Sequence, residues 1–154
     1  MAVKPIPDGY HTVTPYLIVK GADKALDYYT RAFGAREVLR LPGPGGGVAH
    51  AEIQIGTSRI MLGDEMPEMG WRGPQSIGGT PVSLMIYVEN VNEAYPRALK
   101  AGGKELKPLQ DQFYGDRTGT LADPFGHVWT IATHVRDVSE AEMKKAMESM
   151  AAGG

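Results

Sequence analysis

The chain has 154 residues, 16 of them basic and 18 acidic for a formal charge of −2, and it contains no cysteine. That length supports one domain with its own hydrophobic core, and a balanced charge without blocks of one sign argues against a nucleic-acid or anionic-membrane partner. Without cysteine there are no disulfides, thiolate nucleophiles or zinc-thiolate sites, so a cytoplasmic protein is expected.

The opening "MAVKPIPDGY" lacks the apolar stretch of a signal peptide, and no later run reaches the length of a membrane span. Next comes "YLIV", a short β-branched and aromatic run that reads as a strand. In "ADKALDYYTRAF" the apolar residues Ala25, Leu26, Tyr29, Ala32 and Phe33 recur at helical spacing, and Gly34 follows where a left-handed C-terminal residue is expected. "REVLRL", "VAHAEIQI" and "SRIML" then read as three strands. The glycines of "LPGPGGG" form a hairpin connection rather than a phosphate loop, since no Gly-Lys-Ser/Thr and no helix pattern follow.

"GDEMPEMGWRGPQSIGGTP" is rich in Gly, Pro and Met, has no period, and reads as a linker or lid. Beyond it the first unit is written again. "TPYLIVKGADKALDYYTRAFGA" and "SLMIYVENVNEAYPRALKAGGK" align 69 residues apart, pairing Val19 with Val88, Ala25 with Ala94 and Gly34 with Gly103. In the second copy Asn92 is the expected N-cap, Ala94, Tyr95, Ala98 and Leu99 form the apolar stripe, and Pro96 is placed near the helix start. "KELKPLQ", "RTGTLA" and "HVWTIAT" complete a second βαβββ unit, with "DPFG" as a type I turn before the last strand. Ser139 and Glu142 form a capping box that opens a terminal helix.

Alternation along the strands assigns faces. Ala51, Ile53 and Ile55 suit the helix-covered side, which sends His50, Glu52 and Gln54 to the other face. By the same rule Leu17 and Val19 leave Thr14, Tyr16 and Ile18 on that face, and Leu84, Ile86 and Val88 leave Ser83, Met85 and Tyr87. Ile60 with Leu62, and Trp129 with Ile131, take the helix side and leave Met61 and Thr130.

A doubled βαβββ chain carrying "PYLIV", "ALDYYTRAFGA", "HAEIQIG", "YGDR" and "DPFGHVWTIATH" resembles the vicinal oxygen chelate superfamily. That superfamily contains glyoxalase I, bleomycin-resistance proteins and extradiol dioxygenases, and the similarity is greatest to its PhnB-like branch. The resemblance implies an α+β fold in which tandem βαβββ modules form a curved mixed sheet around a cavity. It also implies a small organic ligand and a homodimer that completes the sites. The domain spans residues 12–136, with modules at 12–63 and 82–134, a linker or lid at 64–81, and a C-terminal helix and tail at 137–154. Enzymes of the superfamily bind a divalent metal through inward His, Glu or Gln side chains on the first and last strand of each copy. Those positions fall here on Thr14, Met61, Ser83 and Thr130. Two threonines, a serine and a thioether offset the lost hydration of a divalent cation poorly, so no cofactor is expected and a metal is disfavoured.

His50 and Glu52 share a strand face and can act as a general acid/base pair, as a metal half-site, or as a mutually satisfied polar pair. Tyr16, Met85, Tyr87, Thr130 and Gln54 are candidate ligand contacts, the tyrosines equally readable as core. Arg117 either holds an anionic ligand group or pairs with Asp116. No HExxH spacing links the histidines and Gly-x-Ser-x-Gly is absent. The expected function is small-molecule binding. The alternatives are a glyoxalase- or dioxygenase-type enzyme, lyase or oxidoreductase, with a rearranged metal site or a metal-free His50/Glu52 pair, and a structural dimer with a vestigial cavity.

Overall fold

The computed structural model describes residues 2–153. In chain order the elements are β1 (Tyr16–Val19), α1 (Ala22–Phe33), β2 (Arg36–Pro42), β3 (Val48–Ile55), β4 (Ser58–Asp64), the single turn α2 (Pro74–Ile77), β5 (Ser83–Tyr87), α3 (Val91–Lys100), β6 (Lys104–Asp111), β7 (Asp116–Ala122), β8 (Val128–His134) and α4 (Glu140–Ala152). They form two four-stranded sheets, ordered β1-β4-β3-β2 and β5-β8-β7-β6. Within each sheet the first strand runs parallel to the last and the other pairings are antiparallel. This is the tandem βαβββ, α+β architecture expected from the doubled sequence.

Alternation and burial agree along β1, β3, β4 and β8, while in β5 the expected helix-side residues Leu84 and Ile86 are half-buried. Leu17, Val19, Ala51, Ile53, Ile55, Ile60, Leu62, Trp129 and Ile131 are buried, whereas Tyr16, Met85 and Tyr87 are 39%, 44% and 62% exposed. Helix α1 buries the predicted stripe together with Ala22 and Tyr28, and ends on Gly34 at φ 66°. No side chain of its own caps its N-terminus; Asp64, at the end of β4, accepts from the backbone N–H groups of Gly21 and Ala22 and also from Val48.

The cap of α3 differs from the expectation. Asn90, not Asn92, is the N-cap, and its side chain accepts from the Asn92 N–H at 3.0 Å. The helix begins at Val91, so Pro96 lies beyond the first turn and deletes one intrahelical hydrogen bond. The capping box of α4 is present, with Ser139 Oγ accepting from the Glu142 N–H and Glu142 Oε2 accepting from the Ser139 N–H. No residue of α4 is buried.

The modules pack helix side to helix side. Tyr28 donates to the Ala98 carbonyl and Arg97 to the Ala32 carbonyl, and Phe33 lies against Trp129 with ring centroids 4.6 Å apart. At the centre of this joint is the buried carboxylate of Asp123. It accepts from the N–H groups of Phe125 and His127 through Oδ1, and from Tyr29 Oη and Trp129 Nε1 through Oδ2. Four donors offset its desolvation. His127, beside the turn, reaches the Ile18 carbonyl at 2.9 Å and ties the second module to β1. The helix-covered faces therefore meet inside the chain, and the opposite face of each sheet turns outward.

Candidate functional site

The outward face of the first sheet carries a continuous polar chain. His50 and Glu52 alternate with buried Ala51 and Ile53, and register aligns Tyr16, Met61 and Glu52 across β1, β4 and β3. The Tyr16 hydroxyl lies 2.9 Å from His50 Nδ1, and His50 Nε2 lies 3.1 Å from Glu52 Oε1. An ionised Glu52 can only accept, which places the imidazole proton on Nε2 and leaves Nδ1 to accept from Tyr16. Gly63 makes room for this arrangement: a Cβ there would stand 2.6 Å from the Ala49 carbonyl oxygen and 3.2 Å from Tyr16 Oη.

Two irregular segments fold over that face. From the linker, Trp71 meets the edge of Tyr16 at 5.9 Å. From the N-terminal arm, Tyr10 donates its hydroxyl to Glu52 Oε2, and the Arg59 guanidinium covers the Tyr10 ring at 5.3 Å. The hydrogen bond from Tyr10 is the main cause holding the Glu52 carboxyl below its usual range; burial opposes it and His50 adds to it. Burial and the neighbouring Glu52 push the Tyr10 phenol up, and burial does the same to Tyr16. At neutral pH the two phenols are thus protonated and Glu52 is ionised on either side of His50. His50 is placed to take the Tyr16 proton while Glu52 supports the imidazolium that results.

On the second sheet the counterparts of Tyr16 and Met61 by register are Met85 and Thr130. Thr130 shares a hydrogen bond with Thr120 at 2.9 Å. Further along, Tyr87 donates to Asp116, whose other oxygen takes His134 Nδ1, while His134 Nε2 faces Asp137. Both ring nitrogens face carboxylates, first Asp137 and then Asp116, and this holds His134 above its ordinary value.

The remaining sequence candidates distribute unevenly. Tyr16 and Tyr87 lie on separate sheets in separate networks. The Gln54 amide is used locally, donating to the Gly56 carbonyl and accepting from Arg36. Arg117 does not pair with Asp116: adjacent strand residues point to opposite faces, so Asp116 joins Tyr87 while Arg117 donates to Asn92 and Asp111 on the helix side. Trp71 lies in the linker that the sequence reads as a lid, and it covers Tyr16; sequence reading missed Tyr10 and His134. Pro7-Asp8-Gly9 signalled a turn in the arm, but no local pattern ties Tyr10 to a strand forty residues on.

The metal positions inherited from the resemblance do not fit a metal. Thr14 precedes β1, Met61 is a half-buried thioether, Ser83 opens β5 and Thr130 is bonded to Thr120. Among the described residues no three His, Cys, Asp or Glu side chains converge on a point. A cavity of about 710 Å³ opens between the modules, and its wall holds Phe33, Ile55 and Trp129 together with Thr14, Arg59, Met85 and Tyr87. Its wall is mainly apolar and does not include Tyr16, His50 or Glu52, and we place the candidate site on their hydrogen-bonded chain.

No helix of the described residues is long and apolar enough to cross a membrane. A protein of Mycobacterium bovis, named as uncharacterized, is 42% identical over 144 residues, covering 92% of this chain and 95% of its own. TioX from Micromonospora sp. ML1 superposes with a TM-score of 0.64 at 28% identity, covering 81% of this chain and 99% of that one. The PhnB protein from Bacillus cereus does so at 0.63 and 21%, covering 80% and 99%, a likeness of fold. The sequence model of the glyoxalase/bleomycin resistance protein/dioxygenase superfamily matches residues 10–131. With its doubled βαβββ units and matching family sequence, the chain belongs to the glyoxalase/bleomycin resistance protein/dioxygenase superfamily.

Proposed function

We propose that this chain is a cytoplasmic small-molecule-binding protein that works as a homodimer without a metal. In each site the Tyr16–His50–Glu52 face of one protomer is roofed by the Met85–Tyr87–Thr130 face of its partner. The observation that carries this reading is the orientation of the two faces: the modules meet through their helices, so each polar face opens to solvent, and a second copy closes it. The edge strand β5 supports the same arrangement, with Met85 and Tyr87 44% and 62% exposed on a strand whose outer edge has no partner among the described residues. An aromatic or amphipathic ligand suits a site of two tyrosines, a tryptophan and a methionine with few polar anchors.

The test is a thermal-shift titration with anilinonaphthalene sulfonate in excess EDTA, together with metal analysis of the purified protein. A ligand selective for the folded state raises stability by about 2.7 kcal/mol at a hundred times its Kd. Stabilisation that EDTA leaves intact is expected. Stoichiometric divalent metal that is lost in His50→Ala would overturn the reading.

A second reading is favoured by the hydrogen-bonded order Tyr16, His50, Glu52, which is that of a proton relay. On this reading the protein is a metal-free acid–base enzyme. Mass spectrometry of bound compounds after incubation separates the two, since a binder returns its ligand unchanged and an enzyme yields a product that disappears in His50→Ala.

A further inference from the structure

The N-terminal arm is exposed along residues 2–9, and Val13 is 82% exposed, yet Tyr10 is half-buried. Its anchors are two: the hydroxyl on Glu52 and the ring beneath Arg59. A turn brings it there, with the Tyr10 N–H on the Pro7 carbonyl at 3.1 Å and Gly9 at φ 85°. A Cβ at Gly9 would stand 2.8 Å from Arg59 Nη2, so the glycine lets the arm close against the guanidinium. This phenol sits where the polar chain of the outward face ends. The fit is also incomplete. Arg59 Nε is buried without an acceptor while Tyr10 fills the site.

We propose that Glu52 and Arg59 form a recognition site for the phenolic hydroxyl and ring of a ligand, and that Tyr10 occupies it as a tethered internal competitor in the free protein. This rests on the reading that the first module's outward face takes the ligand. Glu52 accepts the hydroxyl, Arg59 covers the ring, and the arm swings out when an external phenol takes the place of Tyr10. A carboxylate acceptor selects a phenol over its methyl ether, since the ether leaves the buried oxygen unpaired. Because Tyr10 is tethered, it competes at an effective concentration in the millimolar range, so its removal unmasks the site.

The experiment uses the full-length protein and compares para-cresol with para-methylanisole by calorimetry and ligand-observed NMR. Tyr10→Ala, at a residue outside every regular element, is expected to bind para-cresol roughly threefold to tenfold more tightly than the parent chain. Para-methylanisole is expected to bind weakly to both, and Glu52→Gln to abolish the preference for the phenol. In the parent protein, para-cresol should shift the Tyr10 ring resonances toward those of an exposed tyrosine. Equal para-cresol affinity in the parent and Tyr10→Ala, or an undiminished preference in Glu52→Gln, overturns the proposal. Should either occur while anilinonaphthalene sulfonate still stabilises the dimer, the phenol site fails and the broader binding reading stands; loss of both ligands removes both.

Discussion

Replacing Asp123 by Asn tests the joint that sets the two modules back to back. The carboxylate is 4% exposed and accepts four hydrogen bonds at 2.6 to 3.0 Å, two from the turn it opens and two, Tyr29 Oη and Trp129 Nε1, from either side of the joint. An amide retains one oxygen. If that oxygen keeps the Phe125 and His127 N–H groups, the NH₂ faces the indole N–H, and two donors meet in a buried site. Tyr29 can turn its hydroxyl and accept, but Trp129 cannot. One buried donor left unpaired costs about 1–3 kcal/mol, and loss of charge assistance in the other bonds adds about 1 kcal/mol. We therefore expect a loss of about 2–4 kcal/mol, which lowers Tm by roughly 5–15 °C in a chain of this size. Urea unfolding of Asp123→Asn, Tyr29→Phe and the double variant measures it, with the double-mutant cycle giving a coupling of about 1 kcal/mol between residues in contact. A loss below about 0.5 kcal/mol with no coupling would show that the four donors are not what holds this carboxylate in the joint.

Three further outcomes follow from the same geometry. Gly63→Ala should cost about 1–3 kcal/mol in urea and weaken ligand binding, because the new methyl meets the Ala49 carbonyl and crowds the Tyr16 hydroxyl away from His50; unchanged affinity and midpoint would count against the packing described. Ser139→Ala should fray α4, with faster amide exchange over residues 140–145 and an unchanged global Tm, because no residue of that helix is buried; a shift of several degrees would show that α4 is part of the core. For His134, whose folded value is raised by Asp137 and then Asp116, the stabilising contribution is fully present below its ordinary value of 6.5 and is lost as pH rises through the folded value. An NMR titration should place its midpoint above 6.5, while a midpoint at or below 6.5 would mean that the two carboxylates do not hold the ring.

The parts of this molecule legible from sequence are those set by local period. Alternation in "HAEIQI" put His50 and Glu52 on one face because a strand cannot do otherwise, and the repeat in the chain foretold the second sheet. Adjacent residues misled where that rule was not applied: Asp116 and Arg117 look like a pair in sequence, but a strand separates them. Asn90 and Asn92 differ by half a turn, and only the backbone shows which one caps. Legibility ends at contacts between distant segments. Tyr29 meets Asp123, Tyr10 meets Glu52 and Trp71 meets Tyr16 across loops that carry no period. The back-to-back packing that turns both polar faces outward depends on contacts of this kind.

That packing makes the central claim directly testable by complementation between two crippled chains. His50→Ala disables the first-module face and Thr130→Phe fills the second, so neither variant alone should bind anilinonaphthalene sulfonate. If sites form between protomers, mixing equal amounts through partial unfolding and reassembly makes half the dimers mixed, each with one intact site, and restores about a quarter of parental binding capacity. Binding that stays at the sum of the two variants would contradict the account, because a site built within one chain gains nothing from a partner.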